Sequence, residues 1–203
     1  MTRRREIVAV ARTYDLLIIE DDAYRFLASD APPRLADLAP ERTLAIVSLS
    51  KPISSLLKLA YLIAPARFAA EIESAIRLTS SGVSSLLAAT ASHLVGETAY
   101  GQLVEAKRAE ARRRQAVLRE VWRGMTYRTH PTAFHVWLTL PRHSDSSAVV
   151  DAAACAGVVL SSGTDFALNA DDGQRFVRVS LGGESDHERL ITGLRTVQRI
   201  VDA

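Results

Sequence analysis

With 203 residues, 48% of them hydrophobic and 24% charged, the chain can bury a sizeable core, and intrinsic disorder is excluded. A formal net charge of +2 by itself says little about nucleic acid, and no run approaches the roughly eighteen apolar residues of a membrane span. A single cysteine, Cys155, excludes an intramolecular disulfide and a thiolate metal cluster.

Residues 3–14 read as a short helix, and 15–20 as a first strand whose unbroken run Leu16-Leu17-Ile18-Ile19 calls for cover on both faces. The loop around Pro32-Pro33 leads to a second strand at 43–48. Beyond Lys51 and Pro52 the chain crosses small residues to a third strand, 59–64, which Pro65 ends. Phe68, Ile72 and Ile76, spaced by four, predict a helix over 66–79. A second apolar helix runs from Ser84 to Leu94 with Gly96 to close it, and a long charge-rich helix spans Thr98 to Trp122.

After that helix the pattern changes to a strand at 134–140, a helix at 146–156 and a short strand at 157–160. A strand at 175–180 then alternates by two, the turn Gly182-Gly183 follows, and a last helix covers 187–201. Cys155 reads as a small buried hydrophobe on the 146–156 helix. Arg112-Arg113-Arg114, interleaved with Glu105, Glu110 and Glu120 at helical spacing, reads as a solvated helix face. The expected organisation is an α/β sheet portion over 1–97, a bridging helix over 98–122 and a small α+β domain over 123–203. Five histidines form no ligand pattern, so no metal is assigned.

Chemistry concentrates after the first two strands. Lys51, in Ser48-Leu49-Ser50-Lys51, follows the apolar run Leu44-Ala45-Ile46-Val47, where a lysine is poorly placed for packing and well placed to hold a carbonyl cofactor as an imine. The first strand runs into Glu20-Asp21-Asp22-Ala23-Tyr24. A carboxylate there can keep a pyridine nitrogen protonated, and together the two segments point to pyridoxal phosphate. Asp21 takes that role and Asp22 is the competing choice, since a one-residue register error exchanges them. Tyr24 can offer its hydroxyl to the phenolic oxygen, Ser48 and Ser50 can donate to phosphate, and Lys58 supplies a positive charge. Arg178, between Val177 and Val179 on a strand, points opposite to them and can receive a substrate carboxylate in a bidentate pair. Blander readings stand beside these: the aspartates can cap a turn, Tyr24 can be a half-buried aromatic, and a strand arginine is commonly a surface residue.

These segments resemble a fold-type I aminotransferase of class I and II, closest to the aminotransferase-like module of MocR-type regulators. Asp21-Asp22-Ala23-Tyr24 is similar to the family's Asp-x-Ala-Tyr element, and Ser48-Leu49-Ser50-Lys51 to its Ser-x-Ser-Lys element. Gly157 through Gly163 to Phe166 resembles the segment before the carboxylate-binding arginine, which maps to Arg178. The resemblance implies Asp21 on the pyridine nitrogen, Tyr24 on the phenolic oxygen and Lys51 as the imine lysine. It covers essentially the whole chain. One departure is Lys58-Leu59-Ala60, where relatives usually carry an arginine followed shortly by glycine.

The resemblance implies part of a large-domain sheet followed by a small domain, with the family's N-terminal half outside this chain. Expected with it are an amino acid or 2-oxo acid as substrate, and a homodimer or a complex with a chain that supplies the missing half. Neither nucleic-acid binding nor membrane insertion is expected, and the setting is cytoplasmic by default, no signal-type hydrophobic region adjoining Met1 to Glu6. Three functions fit: an aminotransferase incomplete without its N-terminal half, an inactive truncated module acting in binding or regulation, and another pyridoxal-phosphate enzyme such as a decarboxylase or lyase.

Overall fold

The computed structural model describes residues 1–96 and 98–202. Residues 97 and 203, where two of the expected segments end, lie outside that description. The chain divides into two compact units, Met1–Lys107 and Arg108–Ala203.

The first unit opens with helix α1, Thr2–Thr13, followed by strand β1, Ile18–Asp21. Its strand starts later than the apolar run predicts, because the end of α1 uses the intervening residues. Tyr14 N–H donates to Val10, Leu16 N–H donates to Ala11, and Asp15 takes a left-handed conformation (φ 49°) that aspartate tolerates. Arg42 pins this turn by donating to the carbonyls of Ala11 and Leu16, both at 3.0 Å. Helix α2, Leu35–Leu38, precedes strand β2, Thr43–Ser48, and strand β3 covers Ala60–Ile63. Helices α3, Ala69–Ser80, and α4, Ser85–Gly96, follow, and helix α5, Thr98–Val121, begins in this unit.

The sheet order is β1-β2-β3, with β1 parallel to β2 and β3 antiparallel to it. One face packs on α1 and α2 through a small core of Val8, Ala11, Ile18 and Ala39, with Leu35 and Leu38 against it. Glu20 shares that face, buried, where Arg4 and the Ala36 N–H hold its carboxylate. Burial pushes its pKa up, and hydrogen bonds from Leu35, Arg4 and Ala36 outweigh that and bring it below the usual carboxylate value. The opposite face does not receive the cover that the sequence calls for. Ile19 is 73% exposed, and all four β3 residues are exposed.

In the second unit, the later turns of α5 lead to strand β4, Tyr127–Arg128, and strand β5, His135–Thr139. Helix α6, Ser146–Cys155, is capped by Asp145, whose side chain accepts from Ser147 N–H and Ala148 N–H. Strand β6, Ser161–Ser162, helix α7, Ala170–Gly173, strand β7, Phe176–Ser180, and helix α8, His187–Asp202, complete the unit. The sheet is antiparallel, in the order β4-β5-β7-β6. Val136 and Leu138 on β5, and Val177 and Val179 on β7, alternate inward onto Leu118, Trp122, Val149 and the α8 stripe Leu190, Leu194, Val197 and Val201. Trp122 Nε1 donates to the Leu194 carbonyl at 2.9 Å, so the largest buried ring leaves no unpaired polar atom.

Three expectations are corrected in this unit. The strand expected at 157–160 is irregular: Gly157 has φ 77° in the turn that ends α6, Val159 is 92% exposed, and pairing to β7 begins only at Ser161. Cys155 is exposed, because α6 buries the stripe Ser146, Val149 and Ala153, and a residue two beyond Ala153 lies on the other side of the helix. The arginine triplet is not uniformly solvated. Arg114 is buried, bound to Glu110 at 2.6 Å and to the carbonyls of Leu181 and Glu184, while Arg113 makes an outer contact with Glu110.

Together these are an α/β sheet unit followed by a smaller mixed α+β unit. Among the described residues no helix is long and apolar enough to cross a membrane.

Candidate functional site

Because β1 and β2 are parallel, their carboxyl ends lie at the same end of the sheet, where a ligand crevice forms in open α/β sheets. Asp21 is the last residue of β1 and pairs with Ile46, two residues before Ser48 at the end of β2. β3 enters antiparallel with Ala60 opposite Ser48, and Leu49 N–H donates to the Leu59 carbonyl at 2.9 Å. The strand order thus brings Asp21, Tyr24, Ser48, Ser50, Lys51 and Lys58 to one end of one sheet. Arg178 belongs to the second unit.

The two aspartates separate by environment. Asp22 is buried, and its Oδ2 accepts from Arg34 Nε at 2.6 Å with Arg25 Nε 3.9 Å away. That carboxylate is consumed in holding the loop after β1 to α2. Asp21 is exposed, and its Oδ1 accepts from Ala23 N–H at 2.9 Å, a turn that fixes the side chain without neutralising it. Among the described residues no ion pair reaches Asp21. The register fixes its direction as well: Ile18 and Glu20 face inward, so Ile19 and Asp21 face out, on the same side as Leu44, Ile46 and Ser48.

Lys51 is exposed, and its Nζ lies 5.6 Å from the centroid of the Tyr24 ring. Tyr24 is 41% exposed, between β1 and the turn Arg25–Leu27. Ser48 Oγ accepts from Ser50 N–H at 3.2 Å, which tightens the chain immediately before Lys51. Leu49, Pro52 and Leu57 are buried around the loop. Lys58 is exposed with φ 43°, a left-handed conformation that strains a residue bearing a Cβ.

A group that sequence reasoning passed over is Lys107. Its Nζ donates to the carbonyls of Lys51 at 2.7 Å and Ile53 at 3.3 Å. Burial pushes its pKa below the usual lysine value. In sequence it is one basic residue among many on a charged helix, with no signal to set it apart.

In the second unit, Arg178 stands on β7 between buried Val177 and Val179, pointing to the opposite face as the alternation requires. Trp137 of β5 and Ser161 of β6 flank it in register. Its guanidinium carbon lies 5.1 Å from the Phe166 ring centroid, and Trp137 stacks on Phe176 and meets Phe166 edge-on. Arg178 Nε is buried without a hydrogen-bond partner among the described residues. A buried guanidinium donor in that condition suits an external carboxylate. The aromatic bed of Trp137, Phe166 and Phe176 was not legible in sequence, where Trp137 reads only as packing.

As a donor set the first unit fits a phosphorylated pyridine aldehyde. It offers one uncommitted carboxylate, a phenol beside a primary amine, two hydroxyls and a second ammonium at one sheet end. Among the described residues no cluster of three or more histidine, cysteine, aspartate or glutamate side chains could hold a metal.

Comparison with known proteins agrees with this architecture. The model of the family described as aminotransferase class I and II matches residues 3–194. The uncharacterised HTH-type transcriptional regulator YdeF of Bacillus subtilis (strain 168) is 30% identical over 199 residues, covering 98% of this chain and 43% of that protein. Among solved structures, the alpha-aminoadipate aminotransferase LysN of Thermus thermophilus superposes with a TM-score of 0.87 at 21% identity, over 98% of this chain and 53% of its own. The kynurenine aminotransferase of Pyrococcus horikoshii gives 0.89 at 19% identity, over 100% and 52%. The chain therefore spans about half the length of these relatives, and at such identities the structures speak for the fold. With the family match running through both units and the fold shared with these aminotransferases, the chain belongs to the class I and II aminotransferase family.

Proposed function

We propose that the chain carries the lysine-bearing part of a pyridoxal-phosphate-dependent aminotransferase that moves an amino group between an amino acid and a 2-oxo acid. The observation that carries this reading is the gathering of Asp21, Tyr24, Ser48, Ser50, Lys51 and Lys58 at the carboxyl end of β1 and β2. Bound pyridoxal phosphate supplies an electron sink for the bonds of the substrate's alpha carbon.

In this reading Lys51 is the attachment point, and its freed amine moves a proton to and from the alpha carbon. Asp21 holds a proton on the ring nitrogen, since an adjacent carboxylate favours the charged form. The Tyr24 hydroxyl donates to the phenolic oxygen. Ser48 and Ser50 hydroxyls and the Lys58 ammonium bind phosphate, the lysine as a point charge. Arg178 binds the substrate's carboxylate through its guanidinium. Because the chain spans about half of its relatives, turnover is proposed for this module joined to the rest of the fold; its assembly is proposed as a homodimer or a complex with a chain that supplies the remainder.

The test is incubation of the purified chain with pyridoxal phosphate, borohydride reduction and peptide mapping. Label on Lys51, lost in Lys51→Ala, is the expected result. Label spread over other lysines with Lys51 spared overturns the reading.

The likeness to an HTH-type regulator favours a second reading, that of an aminotransferase-like module of the MocR type which senses an amino acid through the same lysine. The two part on products. In the joined fold an enzyme given both an amino donor and a 2-oxo acid acceptor releases the donor's 2-oxo acid continuously as the acceptor is converted to its amino acid, whereas a sensor changes its absorbance once and releases none.

A further inference from the structure

We propose that Lys107 is a positioning residue for Lys51, clamping the turn that carries it through the carbonyls of Lys51 and Ile53; the proposal rests on the reading of Lys51 as the attachment lysine.

The chain leaves β2 at Ser48 and closes one helical turn across Lys51, with Ile53 N–H donating to the Leu49 carbonyl at 3.0 Å. Such a turn draws its central residues toward the helical region of backbone space, and Lys51 is followed by Pro52, whose ring disfavours that region for the residue before it. The turn therefore needs an external hold. Part of it comes from burial of Leu49, Pro52 and Leu57 on the inner side. The other part is Lys107 Nζ, 2.7 Å from the Lys51 carbonyl and 3.3 Å from that of Ile53.

One ammonium bridging carbonyls two residues apart fixes the peptide plane that follows Lys51, because both oxygens must face the same point. That plane sets the direction of the Lys51 side chain, which otherwise emerges from an exposed loop. The arrangement also accounts for a cation in a partly buried place: two carbonyl dipoles replace the water that burial removes.

The experiment compares Lys107→Met, which removes the donor, and Lys107→Arg, which keeps it, with the unaltered chain. Before any cofactor is added, hydrogen exchange at the Ile53 amide should quicken about tenfold in Lys107→Met, as expected for loss of a charge-assisted bond, and return toward the original rate in Lys107→Arg. With pyridoxal phosphate added, the rate at which Lys51 acquires borohydride-fixed label should fall by a similar factor in Lys107→Met and recover in Lys107→Arg. Should Lys107→Met fail to fold, Lys107→Gln, which keeps one donor, is read in the same two ways with smaller changes expected. Unchanged Ile53 exchange overturns the clamp. Label on Lys51 at a rate indifferent to Lys107 overturns the positioning role alone, whereas no label on Lys51 in the unaltered chain overturns the reading on which it rests.

Discussion

Arg114→Met tests the energetics of the second unit where its polar burial is greatest. The guanidinium is buried, donates from Nε to Glu110 Oε1 at 2.6 Å, and also donates to the carbonyls of Leu181 and Glu184, tying α5 to the turn before α8. Removing one partner of a buried ion pair costs about 3–5 kcal/mol because the other charge is left uncompensated. Here Glu110 keeps Arg113 and His187 as neighbours, which lowers that cost, while the two carbonyls each lose a bond worth about 1 kcal/mol. A destabilisation of about 3 kcal/mol results, which at a urea slope of about 1 kcal/mol/M lowers the midpoint by about 3 M. Both tryptophans, Trp122 and Trp137, belong to the second unit, so urea unfolding followed by their fluorescence reports that unit alone. The exposed neighbour Arg113→Met should cost no more than about 0.5 kcal/mol, as for other surface pairs. Equal midpoints for the two variants would refute the reasoning, since burial and the two carbonyls are all that distinguish them.

The same network sets a pH dependence. Burial pushes the Glu110 carboxyl up, but hydrogen bonds from Arg114, Arg113 and His187 outweigh it and hold the group at about 2, below its ordinary 4.5. A depressed carboxyl stabilises the fold above its unfolded pKa and loses that contribution as the pH falls. The urea midpoint should therefore drop between about pH 4.5 and 2, and Glu110→Gln should flatten the drop. Asp145→Ala removes the α6 cap and should cost about 1 kcal/mol in the same assay. Gly163→Ala drives a Cβ into the Gly173 carbonyl oxygen and to 2.6 Å from that of Phe176, so it should disrupt the turn Gly163–Phe166 and lower the midpoint, where Gly183→Ala, with nothing near, should not. Asp21→Asn should leave the thermal midpoint unchanged and alter the absorbance of bound pyridoxal phosphate, whereas Asp22→Asn, which breaks the pair with Arg34, should destabilise the first unit by about 2 kcal/mol and lower that midpoint.

Elements with strong periodicity and clear stops were legible in sequence. β2 runs over Thr43–Ser48 as its apolar run predicts, and α8 follows the spacing of Leu190, Leu194 and Val197. Where local backbone chemistry competes with pattern, sequence reasoning failed. The run Leu16-Leu17 looks like strand, yet Asp15 in the left-handed region and the last bonds of α1 keep those residues out of the sheet. Gly157-Val158-Val159-Leu160 looks like strand too, but the positive φ at Gly157 and the exposure of Val159 keep it irregular. Helix α6 has apolar or small residues nearly all round, so its sequence does not say that Cys155 faces solvent.

The candidate site shows a sharper division between what one dimension holds and what needs three. Residue types and order bring Lys51, Asp21 and Tyr24 forward as a candidate set, an amine, an acid and a phenol after two apolar runs. Residue type alone does not say which aspartate is available, since Asp21 and Asp22 are chemically identical neighbours and only the resemblance to Asp-x-Ala-Tyr singles out Asp21. The choice falls to two facts absent from the local sequence: the parallel register of β1 on β2, which turns Asp21 outward with Ser48, and Arg34, twelve residues away, which takes the Asp22 carboxylate. Lys107 is hidden for the same reason, fifty-six residues from the carbonyl it binds. Chain order therefore carries the groups a carbonyl cofactor needs, while the ion pairs and bridges that decide which of them stays free come from contacts only the fold creates. A search for further site residues in this chain belongs among polar groups that touch the Lys51 loop from distant elements, rather than among its sequence neighbours.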